Sequence, residues 1–550
     1  MRLYTWNSEG ERVHVDLPYR PYFYKEVSQQ RRHDGMSLFN TPLKRVEFDN
    51  EYLRRDWINQ QKDTLRHSED ETIRIFENIG PAQQFLVDQY WQQNNNDDFS
   101  QFPIKICFLD IETYSPDAFP VPDQANDVVN VITVYDTITN TYHTWGLNDY
   151  TSKSDDVIYY RCRSERDLLT RFVDYITTDY PDILSGWNSE GYDIPYTVGR
   201  IQKVLSSDDT RRLCFWGQKP KKRIFEKYGR EHLSYDLIGR VHLDLLELYR
   251  KYTYEERHSF RLDAIGEHEL GEKKTVYEGS LDALYKQDFG LFIEYNRQDT
   301  ALLAKLEKKL KFIELANEIA HQNTVLLQTT MGAVAVTEQA IVNESHRRGM
   351  IVPGRKYREK DAEPVTAAGA YVATPQKGIH DWIGSVDINS LYPSVIRALN
   401  MGPETIVGQI RPIITSAEVN RARSQKKSFA AAWDNQFGSW EYQAVMKEDK
   451  ATEVVVDWAD GTSVRMSAAQ LYDVIFDGKN KWMLSANGTI FTYEFEAIIP
   501  GLLKRWYAER KEMQRKMHDA GDNEIEKEYW DKRQLVKKIN LNSLYGAILN

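Results

Sequence analysis

Alternating hydrophobic and polar residues mark several short β-strands in this chain. Near the N-terminus, the strings R-L-Y-T-W and R-V-H-V-D-L flank a turn at Ser8–Gly10, which predicts a hairpin. The string I-K-I-C-F-L-D-I-E-T predicts a longer strand. Two more hairpins are predicted between residues 408 and 495, because Asp460-Gly461 and Asn487-Gly488 separate β-like arms.

Hydrophobic positions spaced by about 3.6 residues predict helices elsewhere. This pattern runs from Leu302 to Arg348 and returns in two C-terminal helices, which the acidic break D-A-G-D-N-E separates. Between these helical regions, the apolar string W-I-G-S-V predicts a strand that ends at Asp387, and the segment with Tyr392 and Pro393 then turns into a helix. Another strand is predicted to open at residues 369–372.

Composition narrows the class of protein. A chain of 550 residues is long enough for about four domains, and 41% apolar residues allow sizeable cores. The formal charge of −11 argues against a uniformly basic nucleic-acid coat, although a local basic groove remains compatible with it. Three cysteines without a C-x-x-C pair indicate neither a disulfide framework nor a zinc ribbon, and favour a reducing, cytoplasmic setting. We expect no membrane span and no signal peptide.

Four carboxylates and one tyrosine form a first candidate site. Asp110 and Glu112 lie two residues apart on a predicted strand and therefore project from the same face. Two neighbouring carboxylates on a buried strand repel each other, and cations between them relieve that repulsion. Asp193 begins a predicted helix, and Tyr295 and Asp299 share one helix face because they are four residues apart. Considered alone, a Tyr/Asp pair at this spacing is more often an exposed pair on a helix surface without a catalytic role.

In this order and spacing, the five residues resemble the DEDDy 3′→5′ exonucleases, which have a ribonuclease-H-like fold. The resemblance implies that the four acids bind two Mg²⁺ ions, with Mn²⁺ as an alternative, and that Tyr295 orients the attacking water. Such metals, about 3.5–4 Å apart, activate water and stabilise the leaving oxygen. The string S-P-D-A-F-P is similar to T-even-like phage polymerases and implies that Phe119 stacks on the unpaired primer end. The alternative is that Phe119 is an ordinary loop aromatic that anchors the domain.

A second candidate site lies in the string S-V-D-I-N-S-L-Y-P-S-V-I. Asp387 is a hard oxygen ligand suited to Mg²⁺, although a lone acid at a strand end is more often solvated or caps a helix. D-x-x-S-L-Y-P-S resembles the first palm motif of family B DNA polymerases. The resemblance implies that Asp387 and Ile388 bind catalytic metals and that Ser390 and Leu391 contact the nucleotide. It also implies that Tyr392 packs under the deoxyribose and excludes a 2′-hydroxyl.

One face of the last predicted helix carries Lys538, Asn542 and Tyr545 at positions i, i+4 and i+7. A cation, an amide and an aromatic ring on one stripe suit a nucleoside triphosphate, whereas an amphipathic surface helix is the alternative. K-x-x-x-N-S-L-Y-G resembles the second family B motif, on the fingers helix that delivers dNTP. Arg510 matches the triphosphate-binding arginine of the opposing helix.

The fingers depart from the family at one position. The phage enzymes have a second basic residue four positions after the matching arginine, where this chain has Gln514. Arg515 and Lys516 are candidates to replace it, although a helix turns each of them about 100° or more away from that position.

The resemblance implies an α/β and α+β multidomain fold, with a ribonuclease-H-like exonuclease, a partial right-hand palm and helical fingers. The predicted divisions are an N-terminal domain at 1–103, the exonuclease at 104–312, a helical connection packing on the N-terminal domain at 313–358, the partial palm at 359–496 and the fingers at 497–550.

A further palm motif, close to Y-G-D-T-D-S, completes the metal site in this family and does not occur in the sequence. A naturally split polymerase, an interrupted gene and an artificially shortened chain would each explain this. We expect a split subunit whose second chain provides the missing acid and the thumb. The expected partners are primer–template DNA, dNTPs, that second chain and, through it, a sliding clamp, in the cytoplasm of an infected bacterial host.

Two other functions remain open at this stage. One is a stand-alone 3′→5′ exonuclease, and the other is a nucleic-acid-binding regulator without catalysis. The exonuclease acids argue against the regulator, and the nucleotide-binding residues argue against the pure exonuclease.

The basic run Lys219–Arg223 is compatible with a nuclear localisation signal, but a solvated loop near the DNA path is the better interpretation. Asp244 and Asp263 are predicted to have structural roles.

Overall fold

A computed structural model describes most of the chain. The residues it describes are 1–28, 32–65, 75–91, 103–116, 119–178, 180–227, 229–253, 255–272, 277–354, 374–388, 390–411, 447–448, 450–451, 453–485 and 488–548. The strand predicted at 369–372 lies outside these ranges.

The predicted N-terminal hairpin is confirmed, with strands β1 (Arg2–Trp6) and β2 (Arg12–Asp16) paired antiparallel. It packs against a later part of the chain, because the ring of Tyr4 lies 4.8 Å from that of Tyr180. A separate small sheet follows. Its region contains β3 (Tyr22–Glu26), β4 (Gly35–Ser37), β5 (Pro42–Glu47), α1 (Glu51–Leu65), β6 (Ile75–Phe76) and α2 (Pro81–Tyr90).

The next region is built on a six-stranded mixed sheet with helices on both faces. Its elements are β7 (Ile106–Tyr114), β8 (Val128–Asp136), β9 (Thr141–Gly146), β10 (Val157–Arg161), α3 (Glu165–Thr178), β11 (Ile183–Gly186), α4 (Asp193–Val204), α5 (Ser207–Arg211), β12 (Lys221–Lys227), β13 (Arg230–Asp236), β14 (Val241–Asp244), α6 (Leu245–Tyr252), α7 (Leu262–Leu270), α8 (Leu281–Gln287) and α9 (Phe289–Leu310). The strand order is β10-β9-β8-β7-β11-β14. β7 is central, and its apolar side chains enter cores on both faces, as its nearly continuous hydrophobic run requires.

Two strands of this region stand outside the sheet. β12 and β13 form a separate antiparallel hairpin. The basic residues Lys221, Lys222 and Arg223, predicted to lie in a loop, therefore begin a strand, and their side chains are exposed. That part of the prediction was wrong, because cross-strand pairing with β13 fixes the backbone there.

The helical pattern from Leu302 to Arg348 is confirmed. After α9 come α10 (Phe312–Asn323), a 3₁₀ turn at Leu327–Met331 and α11 (Ala333–Arg347). The short strand β15 (Met350–Ile351) then pairs with β4 and completes the five-stranded sheet of the N-terminal region, in the order β15-β4-β5-β3-β6.

The C-terminal region combines a small antiparallel sheet with two long helices. Its elements are α12 (Leu391–Ala398), β16 (Ile406–Ile410), β17 (Glu453–Trp458), β18 (Ser463–Ser467), α13 (Ala468–Phe476), β19 (Trp482–Leu484), β20 (Thr489–Thr492), α14 (Ile498–Asp519) and α15 (Glu524–Ile548). Both predicted hairpins are confirmed, as β17–β18 and β19–β20. The two predicted C-terminal helices are confirmed as α14 and α15, which pack along each other.

The predicted strand before Asp387 is not observed. Residues 383–388 have no regular structure, and Ile383 and Val386 are 74% and 95% exposed. A strand forms only when a neighbouring backbone accepts its hydrogen bonds, and no described strand pairs with this segment. The hydrophobic pattern alone therefore gave the wrong element here.

The three cysteines, Cys107, Cys162 and Cys214, are buried and form no disulfide with one another. Within the described ranges, no helix is both long enough and apolar enough to cross a bilayer.

Candidate functional site

Three of the predicted acids meet where α9 crosses the central strand. Asp110 and Glu112 project from β7 and Asp299 from α9, and one carboxylate oxygen of each lies within 4.8 Å of the others. Asp299 is almost fully buried, and the other two are partly buried. Carboxylates this close raise one another's energy unless cations or hydrogen-bond donors compensate. The group is therefore a candidate metal site.

The fourth acid adjoins this group. Asp193 is the first residue of α4 and is 3% exposed. Its Oδ1 accepts a hydrogen bond of 3.2 Å from the backbone N–H of Ile111, the residue between Asp110 and Glu112. This contact fixes the start of α4 against β7. The structure thus brings all four predicted acids to β7 or directly beside it, with Asp193 outside the tightest set.

The backbone of β7 is irregular directly beside these acids. The pairing of β7 with β8 shifts register between Glu112 and Thr113, directly after the second acid. Such a bulge interrupts regular pairing and changes the direction of the side chains beside it, which is common next to active sites.

The turn that leads into Asp193 is held by Asp244, the last residue of β14. Its Oδ1 accepts the backbone N–H of Asn188 at 3.0 Å, and its Oδ2 accepts that of Glu190 at 2.9 Å. Asp244 also caps α6 by accepting the N–H of Leu246 at 2.9 Å. Burial raises the pKa of Asp244 to about 7, although these donors favour the charged form. This arrangement agrees with the structural role predicted for Asp244.

A second contact supports the same turn. The Ser189 hydroxyl and His242 Nε2 are 2.8 Å apart. His242 is partly buried, and loss of solvation lowers its pKa to about 4, with Arg223 adding to the effect. The imidazole is therefore neutral at pH 7.

Two aromatic residues predicted for this site lie near the acids. Tyr295 is one helical turn before Asp299 on α9, and its ring packs edge-on to Tyr277 with centroids 5.2 Å apart. Phe119 is 82% exposed, and its ring lies 6.1 Å from that of Tyr192. An anchoring residue would be buried, so this exposure argues against the alternative interpretation of Phe119.

Sequence reasoning missed Asn296. It lies between Tyr295 and Asp299 on α9, is fully buried, and donates from Nδ2 to Asp110 Oδ2 at 2.5 Å. The available signal was a polar residue three positions before Asp299, which is the second spacing that places side chains on one helix face.

The second site joins α12 to α15. The rings of Tyr392 and Tyr545 are stacked, with centroids 4.0 Å apart and planes within 10° of parallel. Ser390 begins α12 with a left-handed backbone (φ 53°), and the side chains of Leu391 and Tyr392 are about half exposed. The structure therefore brings together the two tyrosines predicted to contact the nucleotide.

Cationic groups from both long helices lie along this surface. Lys538 and Asn542 are exposed on α15. From α14, Arg510 Nε donates to Gln534 Oε1 at 3.2 Å, and Gln534 is one turn before Lys538 on α15. Arg510 thus reaches the helix face that carries Lys538.

The departure at Gln514 is not compensated by its neighbours. Arg515 forms ion pairs with Glu512 at 2.6 Å and Asp519 at 3.3 Å. The Lys516 ammonium lies 4.2 Å from the centre of the Trp530 ring. Both candidate replacements are therefore engaged elsewhere.

Asp387 and Ile388 lie in the exposed segment before α12. Within the part of the chain that the structure describes, Asp387 belongs to no group of three or more metal-ligating side chains.

Comparison with known proteins adds independent information. The family model "DNA polymerase family B, exonuclease domain" matches residues 43–265, and "DNA polymerase family B" matches residues 323–548. The chain belongs to the family B DNA polymerases. Asp110, Glu112 and Asp193 fall within the exonuclease match, whereas Tyr295 and Asp299 lie between the two matched ranges.

Several curated polymerases are similar to this family B chain. The DNA-directed DNA polymerase of Escherichia phage RB69 is 24% identical over 573 residues, which cover 99% of this chain and 61% of that enzyme. The DNA-directed DNA polymerase of Enterobacteria phage T4 is 28% identical over 333 residues, which cover 56% of this chain and 36% of that enzyme. The DNA polymerase of Pyrococcus glycovorans is 26% identical over 397 residues.

These matches confirm the predicted family and fold class of this family B chain, with an exonuclease and a polymerase domain built from mixed α/β structure. Polymerases and exonucleases of family B generally depend on divalent metals. The group formed by Asp110, Glu112 and Asp299 is chemically suited to them, because hard carboxylate oxygens are the ligands that Mg²⁺ and Mn²⁺ prefer.

Proposed function

We propose that this chain is part of a DNA-directed DNA polymerase and carries its 3′→5′ proofreading exonuclease. The observation that carries the proposal is the meeting of Asp110, Glu112 and Asp299 within 4.8 Å, with Asp193 bonded to the strand between the first two. Four acids on three separate elements converge there, inside or beside the range matched by the exonuclease family.

Each residue of this site has a chemical task. The four acids hold two divalent metal ions, Mg²⁺ or Mn²⁺, which supply an activated water and charge stabilisation for the leaving 3′ oxygen. Tyr295 orients the attacking water from the same helix that carries Asp299. Phe119, exposed at the rim, stacks on the terminal unpaired base. The burial of Asp193 and Asp299 keeps the acids in place before DNA arrives.

Degradation of single-stranded DNA tests this activity. With a 5′-labelled oligonucleotide and Mg²⁺ or Mn²⁺, we expect the purified chain to shorten the DNA one nucleotide at a time from the 3′ end. Asp110→Asn should remove this activity, because it deletes a charge from the metal site. Asp155→Asn removes an exposed acid outside the site and should leave the rate unchanged. Equal rates for wild type and Asp110→Asn would contradict the proposal.

The stacked tyrosines mark the nucleotide site. Tyr392 packs under the deoxyribose and Tyr545 faces the nascent base pair, while Ser390 and Leu391 contribute the backbone at the start of α12. Arg510 and Lys538 bind the triphosphate, and Asn542 adds an amide on the same stripe. The support is that two helices from distant parts of the chain, α12 and α15, meet through these rings.

A second chain completes the polymerase site. Asp387 and Ile388 bind catalytic metals there, and the missing acid and the thumb come from the partner, which also contacts the sliding clamp. The support is the run of exposed apolar side chains Ile379, Trp382, Ile383, Val386 and Ile388, because clustered exposed apolar side chains mark an interaction site.

Primer extension tests the two-chain arrangement. The purified chain should incorporate no dNTP on a primed template until a chain that carries the remaining palm motif is added. Templated synthesis by the purified chain alone would contradict it.

We place both chains in the cytoplasm of an infected bacterium. We also propose domain divisions of this chain at residues 103, 312, 358 and 496.

A further inference from the structure

A buried amide lies against the candidate exonuclease acids. Asn296 is 0% exposed, and its Nδ2 donates to Asp110 Oδ2 at 2.5 Å. The identity of the donor follows from chemistry, because an ionised carboxylate can only accept hydrogen bonds. The contact joins α9, which carries Tyr295 and Asp299, to β7, which carries Asp110 and Glu112.

An amide is suited to this position because it carries no charge. A lysine or arginine next to Asp110 would neutralise the carboxylate and compete with a metal ion. An amide donor instead fixes one carboxylate oxygen and keeps the full negative charge of the group. Hydrogen-bond partners of this kind orient metal ligands and tune their affinity.

The rest of the Asn296 side chain indicates that packing alone does not explain it. Its Oδ1 is buried and has no hydrogen-bond donor among the described residues. A buried polar atom without a partner reduces stability, so an apolar side chain of similar size would pack there at lower cost. The amide is therefore better explained by its bond to Asp110.

We propose that Asn296 is a positioning residue that orients the Asp110 carboxylate for metal binding in the exonuclease site. The inference rests on the proposed exonuclease function. Asn296 contacts neither the metal nor DNA in this arrangement. It sets the direction in which Asp110 presents its other oxygen toward Glu112 and Asp299.

The test uses Asn296→Leu in the full chain, because leucine has the same number and branching of side-chain heavy atoms as asparagine and removes the donor. Free Mn²⁺, followed by electron paramagnetic resonance, reports metal binding without activity. We expect the apparent Kd for Mn²⁺ to rise about 10- to 100-fold. The Mn²⁺ concentration for half-maximal exonuclease rate should rise by the same factor, and most of the wild-type rate should return at saturating metal.

Two further variants keep the result interpretable. Asn296→Ser retains a small polar side chain that is too short to reach Asp110, and it should show the same shift. Asn323→Leu removes a buried amide from the next helix, α10, outside the acid cluster, and should leave Mn²⁺ binding unchanged.

An unchanged Mn²⁺ affinity in the folded Asn296→Leu or Asn296→Ser protein would overturn the inference. A wild-type chain that binds no Mn²⁺ and degrades no DNA would instead refute the proposed function, and the inference with it.

Discussion

Tyr295 and Tyr277 offer a matched pair of hydroxyl groups in one aromatic contact, with rings 5.2 Å apart. Tyr295→Phe should lower the exonuclease rate by about 100-fold, because the ring stays packed while the hydroxyl that we propose orients water is lost. Tyr277→Phe should leave the rate unchanged. Single-turnover degradation of a labelled oligonucleotide measures both, and equal effects of the two changes would contradict the role given to Tyr295.

Phe119 provides a second prediction about a single side chain. Its ring is exposed, so Phe119→Ala should cost little stability but should weaken binding of single-stranded 3′ ends by about 10-fold, within the roughly 1–3 kcal/mol expected for one stacked base. Val121→Ala removes a nearby exposed apolar group that cannot stack, and it is the control. Fluorescence anisotropy with Ca²⁺ in place of Mg²⁺ measures binding without cleavage, and equal losses would exclude stacking.

Sequence spacing predicted which of the candidate site residues share one face of a strand or helix. The two-residue spacing of Asp110 and Glu112 and the four-residue spacing of Tyr295 and Asp299 correctly placed each pair on one face. Asn296 was missed because its partner, Asp110, is 186 residues away in the chain, and the spacing of Asn296 from Asp299 indicates only the helix face and not this contact.

At the scale of elements, β14 carries His242 beside the turn before α4, and the protonation of this histidine should make stability depend on pH. His242 has its pKa lowered to about 4 from 6.5, so the unfolded state binds the proton more readily over that interval. The contribution of His242 to the free energy of unfolding should therefore fall as pH decreases from 6.5 towards 4, by about 2 kcal/mol between pH 7 and pH 5. Asp244, whose pKa is raised to about 7, acts in the opposite direction.

The comparison that isolates His242 uses His242→Gln, which can still bond Ser189 but does not titrate in this range. Urea unfolding of both proteins at pH 7, 6 and 5 should show the wild type losing stability relative to the variant by the amount given above. A difference between the two proteins that is constant across pH would contradict the assignment.

Helices α10 and α15 are joined by a pair of buried amides. Asn540 Nδ2 donates to Asn323 Oδ1 at 3.0 Å, and both side chains are buried. Asn540→Val should cost about 1–3 kcal/mol, because it leaves the buried Oδ1 of Asn323 without the donor that Asn540 provides. Asn323→Val/Asn540→Val should cost less than the sum of the single changes, with a coupling of about 1 kcal/mol or more in urea unfolding. Additive losses would show that the pair contributes nothing specific.

Elements were predictable where their hydrogen bonds are local. The hairpins β17–β18 and β19–β20 and the helices α14 and α15 all satisfy their backbone within a short stretch of sequence, and all were predicted. The string W-I-G-S-V was predicted as a strand and is not one, because a strand between distant segments depends on partners that the local pattern does not specify.

For the whole molecule, distant pairing decides the architecture. β15 returns from residue 350 to pair with β4, and the N-terminal hairpin packs on the sheet region through Tyr4 and Tyr180. Neither contact follows from periodicity. The family resemblance supplied the order of the domains, which composition and charge could not.

The exposed apolar run before α12 leads to a prediction about assembly. Ile383→Lys/Val386→Lys should abolish the polymerase activity that we propose depends on a second chain. The exonuclease rate should stay unchanged, because the changes lie outside the acid cluster. Ile525→Lys alters an equally exposed apolar residue on α15 and is the control. Primer extension and analytical ultracentrifugation measure synthesis and association. Normal assembly of the double variant would rule out this surface as the interface.

The parallel rings of Tyr392 and Tyr545 have one more consequence. The Tyr392 ring, which we propose contacts the deoxyribose, stacks on the Tyr545 ring, which we propose faces the nascent base pair, so neither ring can shift without the other. Discrimination against ribonucleotides and discrimination against mispairs would then depend on the same pair of rings.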